Sequence, residues 1–133
     1  MPATAKVLFT GKSHTTSGPD GASRSSDGFV DVKLAQPHPA AENLFASAWS
    51  ACYLGAIELV ASQRKIKIAG HPSVDTQIDL NLEGSSFFLR AALRVTVPGV
   101  DRAVAQDLAD TAHTVCPYSK AVHGNIEVTT TVV

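Results

Sequence analysis

The chain has 133 residues, 44% hydrophobic and 17% charged, with a net charge of −1. That length fits one domain of roughly 100–200 residues, and the apolar content excludes a disordered chain. Charge below the usual ~25% points to additional buried surface such as a subunit contact, while the near-neutral balance gives no basic footprint for nucleic acid and no polybasic stretch for an anionic membrane.

Residues 6–14 (KVLFTGKSH) read as a first strand. Ser17-Gly18-Pro19-Asp20-Gly21 is dense turn chemistry, residues 22–26 return as a short second strand, and Asp27-Gly28 turns again. Over 29–34, Val30, Val32 and Leu34 alternate with Asp31 and Lys33, the pattern of a half-buried strand. A Pro-rich connector, 35–40, leads into the longest helical pattern, 42–64. Phe45, Trp49, Cys52, Ala56 and Val60 recur there at helical spacing, and Leu44, Ala51, Leu54, Ile57 and Leu59 carry apolar surface around the cylinder. A helix so apolar must be covered on nearly every side, which one small sheet does not supply, so a second chain is expected. Ser47, Ser50 and Glu58 interrupt the run, and no membrane span is expected of it.

Residues 74–83 alternate with Val74, Thr76, Ile78, Leu80 and Leu82 on one face, and Asp75, Asp79 and Glu83 on the other. After Gly84-Ser85, residues 87–97 alternate again, with Arg90 and Arg94 on the polar face. These runs predict an antiparallel hairpin that sets an acidic strand beside a basic one. Pro98-Gly99 breaks the pattern, and a helix follows over 101–115 with Val104, Leu108, Ala112 and Val115 inward. Proline is favoured at the first helical position. Residues 117–123, stopped by Gly124, therefore predict a short helix with Cys116 at its N-cap. A last strand covers 126–132. The order β-β-β-α-β-β-α-β gives an α+β fold with largely antiparallel sheets, in a single domain over residues 1–133. The opening Met1-Pro2-Ala3-Thr4-Ala5-Lys6 lacks the apolar core of a signal peptide. The expected location is the cytoplasm, where thiols stay mostly reduced.

Cys52 and Cys116 are the only cysteines. Each has two open readings. A buried free cysteine packs as a small hydrophobe. A thiol at a helix N-terminus, as predicted for Cys116, meets unpaired N–H groups and the positive end of the dipole, which favour thiolate. His113, Cys116 and His123 have roughly the spacing of zinc ligands, but no paired set completes a site; solvent-facing helix histidines account for the two imidazoles, and no metal or other cofactor is expected. Glu42 opens the long helix as an ordinary dipole-complementing acid. No P-loop, Gly-x-Gly-x-x-Gly or Gly-x-Ser-x-Gly is present.

Leu44-Phe45-Ala46-Ser47-Ala48-Trp49-Ser50-Ala51-Cys52-Tyr53-Leu54-Gly55-Ala56 resembles the reactive-cysteine helix of the OsmC/Ohr proteins, thiol-dependent organic hydroperoxide reductases. Val115-Cys116-Pro117-Tyr118-Ser119-Lys120-Ala121-Val122-His123-Gly124 is similar to the second-cysteine segment of the Ohr branch, as are Ser25-Ser26-Asp27-Gly28 and Val97-Pro98-Gly99-Val100-Asp101 to other Ohr segments. The resemblance spans essentially the whole chain. It implies antiparallel sheets around a long buried central helix, in an intertwined homodimer with these helices back to back. It also implies that Cys52 attacks the peroxide as thiolate, that Cys116 resolves the resulting sulfenic acid as a disulfide, and that a dithiol of the lipoyl-protein type restores both. Glu42 matches the acid that holds the family's activating arginine. The usual arginine slot is Pro19 here, and Arg24 is the nearest arginine, so Arg24 is expected to reach Cys52, lower its pKa and pair with Glu42. Phe45 and Trp49 lie on the Cys52 face as candidate walls of an apolar substrate pocket. The other reading is a non-catalytic or redox-sensing OsmC-like protein that binds an apolar ligand.

Overall fold

A computed structural model of the chain describes residues 4–133; Met1-Pro2-Ala3, part of the segment behind the signal-peptide expectation, lies outside them. The elements are β1 (Ser13–Thr16), β2 (Ala22–Ser25), β3 (Asp31–Lys33), α1 (Ala40–Gln63), β4 (Ser73–Glu83), β5 (Ser86–Thr96), α2 (Arg102–Val115), α3 (Pro117–Val122) and β6 (Glu127–Val132). They fall into two compact units, one ending at Ala40 and one over Ala41–Val133.

The first unit is an antiparallel sheet in the order β1-β2-β3. Gly18 takes a positive φ of 95° in the first turn, where the Gly21 N–H donates to the Gly18 carbonyl at 2.8 Å. The expected strand over 6–14 begins only at Ser13. β2 ends at Ser25, and the Ser26 N–H to the Lys12 carbonyl (2.9 Å) is the last link beyond the ladder. No strand among the described residues pairs with them, and Val7, Leu8 and Phe9 stay exposed, Phe9 at 94%. The strand expected over 29–34 shortens in the same way to Asp31–Lys33, and Phe29 is 90% exposed.

The second unit holds the main core. β4 and β5 form the predicted hairpin, with Asp75 opposite Arg94 and Asp79 opposite Arg90. Ala91, Leu93 and Val95 on alternate positions of β5 are buried. The final strand departs from expectation: β6 pairs with β5 in parallel, giving the order β4-β5-β6. Two helices separate β5 from β6, and such a crossover returns the chain to the end of the sheet where β5 began. The Arg90–Glu127 register that results carries an ion pair, Nε to Oε2 at 2.9 Å.

α1 buries Trp49, Tyr53, Ala56, Ile57, Val60 and Ala61, one face at helical spacing, in a cluster shared with β5, α2 and β6. It is tied to α2 by the Tyr53 hydroxyl, which donates to the Ala109 carbonyl at 2.7 Å, and Arg64, just past its end, pairs with Asp107. It is tied to β4 by the Ser50 and Thr76 hydroxyls at 2.7 Å. α1 is 24 residues long and its most apolar 18-residue stretch has a mean hydropathy of 1.5, so it has the length and composition to cross a membrane. Ser47, Ser50 and Glu58 therefore do not exclude a span; the argument against one is that this helix forms a wall of the core. α2 turns Ala105, Leu108, Ala109 and Ala112 inward. Val104 and Val115, expected inside, are 36% and 37% exposed, because the small alanines let the helix sit close on the other side. At the turn before α2, Gly99 has φ 71° and a Cβ there would run into Ala69, so Pro98-Gly99 sets a constrained entry to the helix.

Candidate functional site: two thiols and a buried hydroxyl network

Cys52 lies in the middle of α1, at the edge of its buried face, and is itself partly buried. Cys116 caps α3 and is fully buried. The residue before proline avoids helical geometry, and Cys116 takes φ −63°, ψ 116°, ending α2 and opening α3 at one residue. Its sulfur then accepts the Ser119 N–H at 3.5 Å, the bond an N-cap side chain makes to the third helical residue. The same sulfur stands 3.3 Å from Cys52 Sγ, across 64 positions of sequence, and both cysteines are free. Burial pushes the Cys52 thiol above the ordinary range, the Cys116 thiol adds to the rise, and the Tyr118 backbone N–H works against it. That direction is opposite to the lowering expected from a neighbouring arginine.

Beside the thiols, buried and partly buried polar groups of α1, α2, α3 and β6 form one network. The Trp49 indole N–H donates to Ser119 Oγ at 2.9 Å. His113 Nδ1 meets the same oxygen at 2.8 Å, and His113 Nε2 meets Thr130 Oγ1 at 2.8 Å. The His113 ring stacks on Tyr53 with centroids 4.4 Å apart and takes Trp49 edge-on at 6.4 Å. Burial lowers the His113 pKa, with Asp110 opposing. His113 is thus no solvent-facing helix histidine, and each of its ring nitrogens has a hydroxyl partner. A cavity of about 190 Å³ opens beside the network, lined by Trp49, His113, Ser119, Val128 and Thr130 among others.

The other expected site residues are placed as follows. Phe45 is partly buried and stacks on Trp49 at 5.6 Å. Trp49 is fully buried. Glu42 stands in the first turn of α1. Arg24 belongs to the first unit, on β2, where its Nε donates to Asp31 Oδ1 at 3.1 Å. Ser119 and His113 were not singled out as a pair by sequence reasoning. The available signal was Cys-Pro-x-Ser, which puts a serine at the third residue of a cysteine-capped helix, with a histidine three residues before the cysteine.

The OsmC-like protein family model matches residues 34–131. An organic hydroperoxide resistance protein of Xanthomonas axonopodis pv. citri is 40% identical over 98% of this chain and 99% of its own length. The organic hydroperoxide resistance protein OhrB of Bacillus subtilis is 35% identical over 92% of this chain and 96% of its own. Among solved structures, an organic hydroperoxide resistance protein from Elizabethkingia anophelis superposes with a TM-score of 0.86 at 36% identity, covering 96% of this chain and 98% of that one. The expected fold is therefore the observed one, two sheets and a central helix, and the chain belongs to the OsmC family, among relatives named organic hydroperoxide resistance proteins.

Proposed function

We propose that the protein is a thiol peroxidase that reduces organic hydroperoxides to alcohols. The observation that carries this reading is the 3.3 Å separation of Cys52 Sγ and Cys116 Sγ, brought together from distant helices in a family whose relatives are named for hydroperoxide resistance. Cys52, having given up its proton, attacks the terminal peroxide oxygen as thiolate; the O–O bond breaks, the alkoxide leaves and takes up a proton to become the alcohol, and Cys52 becomes a sulfenic acid. The Cys116 sulfur then attacks the Cys52 sulfur, the S–O bond breaks, and water leaves as the disulfide forms. A dithiol, of the lipoyl-protein type in the family this chain resembles, takes up the disulfide by exchange and returns both thiols.

Because burial holds Cys52 protonated, the reaction needs a cation beside it, and we assign that part to Arg24, oriented by Glu42 through a charge-assisted pair. Phe45 and Trp49 are assigned to the apolar side of the substrate site. Steady-state consumption of cumene hydroperoxide with a dithiol tests the reading. Cys52→Ser is expected to abolish turnover. Cys116→Ser is expected to react once and then stall as sulfenic acid or over-oxidise, visible by intact mass. Full turnover by Cys52→Ser rejects the mechanism and favours a ligand-binding role.

A further inference from the structure

Ser119 contributes two groups to this end of the molecule. Its backbone N–H sets the Cys116 sulfur at 3.5 Å, and its hydroxyl joins α3 to α1 through Trp49 and to α2 through His113. The indole N–H only donates, so Ser119 Oγ accepts it. In the Nε2–H tautomer of His113 the Ser119 hydroxyl donates to Nδ1 and Nε2–H donates to Thr130 Oγ1 on β6; in the Nδ1–H tautomer both directions reverse. Trp49 and Tyr53 flank Cys52 on α1, and both rings grip His113. The chain Trp49–Ser119–His113–Thr130 therefore ties the helix carrying Cys52 to the cap carrying Cys116, through one buried and two partly buried hydrogen bonds. An open cavity borders it, so packing alone does not hold α3 there.

We propose that Ser119 and His113 are positioning residues for disulfide closure: their hydroxyl–imidazole pair fixes the Cys116 sulfur in reach of Cys52. This rests on the peroxidase reading above. It predicts a split between two steps. Attack of Cys52 on peroxide uses neither side chain; condensation of Cys116 with the sulfenic acid depends on both. Removing the hydroxyl strands the indole N–H and a ring nitrogen in a buried site, and α3 relaxes to find other partners.

The experiment is single-turnover oxidation of the full-length reduced protein by cumene hydroperoxide. Loss of the Cys52 thiol and appearance of the Cys52–Cys116 disulfide are followed separately by quenching and peptide mass. In Ser119→Ala and His113→Phe the first step is expected within about twofold of wild type, and closure slower by about tenfold, the factor that ~1.4 kcal/mol of lost positioning corresponds to. Sulfinic acid then accumulates under excess peroxide. Ser119→Thr keeps the hydroxyl and has the cavity for its methyl, so it is expected to restore closure. Thr130→Val, a change of similar volume at the far end of the network, is expected to slow closure by about threefold, and it carries the test should Ser119→Ala not fold. Closure at the wild-type rate in Ser119→Ala, His113→Phe and Thr130→Val, or equal slowing of both steps, overturns the proposal, as does failure of Ser119→Thr to rescue. A wild-type protein that consumes no peroxide overturns the peroxidase reading instead, and is recognised before any variant is compared.

Discussion

Burial and the neighbouring Cys116 thiol raise the Cys52 pKa, so at neutral pH the protonated form dominates and the thiolate is the scarce nucleophile. The sign follows directly: with the Arg24 cation removed, Cys52 oxidation is expected to climb with pH through the neutral range and past the ordinary thiol value of about 8.5. Stopped-flow rates against pH measure it: Arg24→Ala moves the profile to higher pH than wild type and Glu42→Ala moves it less, whereas profiles identical to wild type remove Arg24 from the mechanism. The two thiols were legible in the sequence as a pair only through the family pattern; composition and spacing left each open as core or nucleophile. His113 was misjudged because its hydroxyl partners lie six and seventeen residues away, on elements that helical periodicity does not bring together.

α1, β5 and α2 carry the stability of the second unit, and their contribution is apolar. Ile57 is fully buried in the cluster, so Ile57→Ala is expected to cost about 2–5 kcal/mol in urea unfolding, the range for a large core truncation. Glu127→Ala breaks the exposed Arg90–Glu127 pair and is expected to cost less than about 1 kcal/mol, as surface ion pairs do. Equal losses would mean the charge ladder matters more than the core. The β4–β5 hairpin was readable because strict alternation and opposite charges fix one register, and Asp75–Arg94 and Asp79–Arg90 are where that register puts them. The parallel pairing of β6 was not readable: alternation identifies a strand but carries no direction, and the α2–α3 crossover decides it. The run at 6–12 failed for a related reason, since apolar residues make a strand only where a partner offers a ladder.

At the scale of the molecule, the apolar surface left over has a pattern. Leu44, Ala48, Ala51, Gly55 and Leu59 form an exposed stripe along α1 at spacings of three and four, with Leu59 48% exposed. Apart from the adjoining backbone of α1, no atom among the described residues lies within 4 Å of where a Cβ on Gly55 would be. In the first unit Val7, Leu8, Phe9 and Phe29 are exposed, and Leu82 and Phe87 face each other across the outer end of the hairpin. Monomers rarely expose apolar area on this scale, and the small residues of the α1 stripe leave room for a second helix to approach closely. We assign that surface to a second copy of the chain, as the composition and the family resemblance both suggest. Size-exclusion chromatography with light scattering at micromolar concentration is then expected to give about twice 13.9 kDa. Leu59→Glu would place a charge at the C-terminal end of the stripe and is expected to shift the population to monomer or to precipitate it, because an unpaired buried carboxylate costs several kcal/mol. A wild-type chain that runs as a folded 13.9 kDa species, with Leu59→Glu indistinguishable from it, would leave the stripe without a partner and refute the assignment.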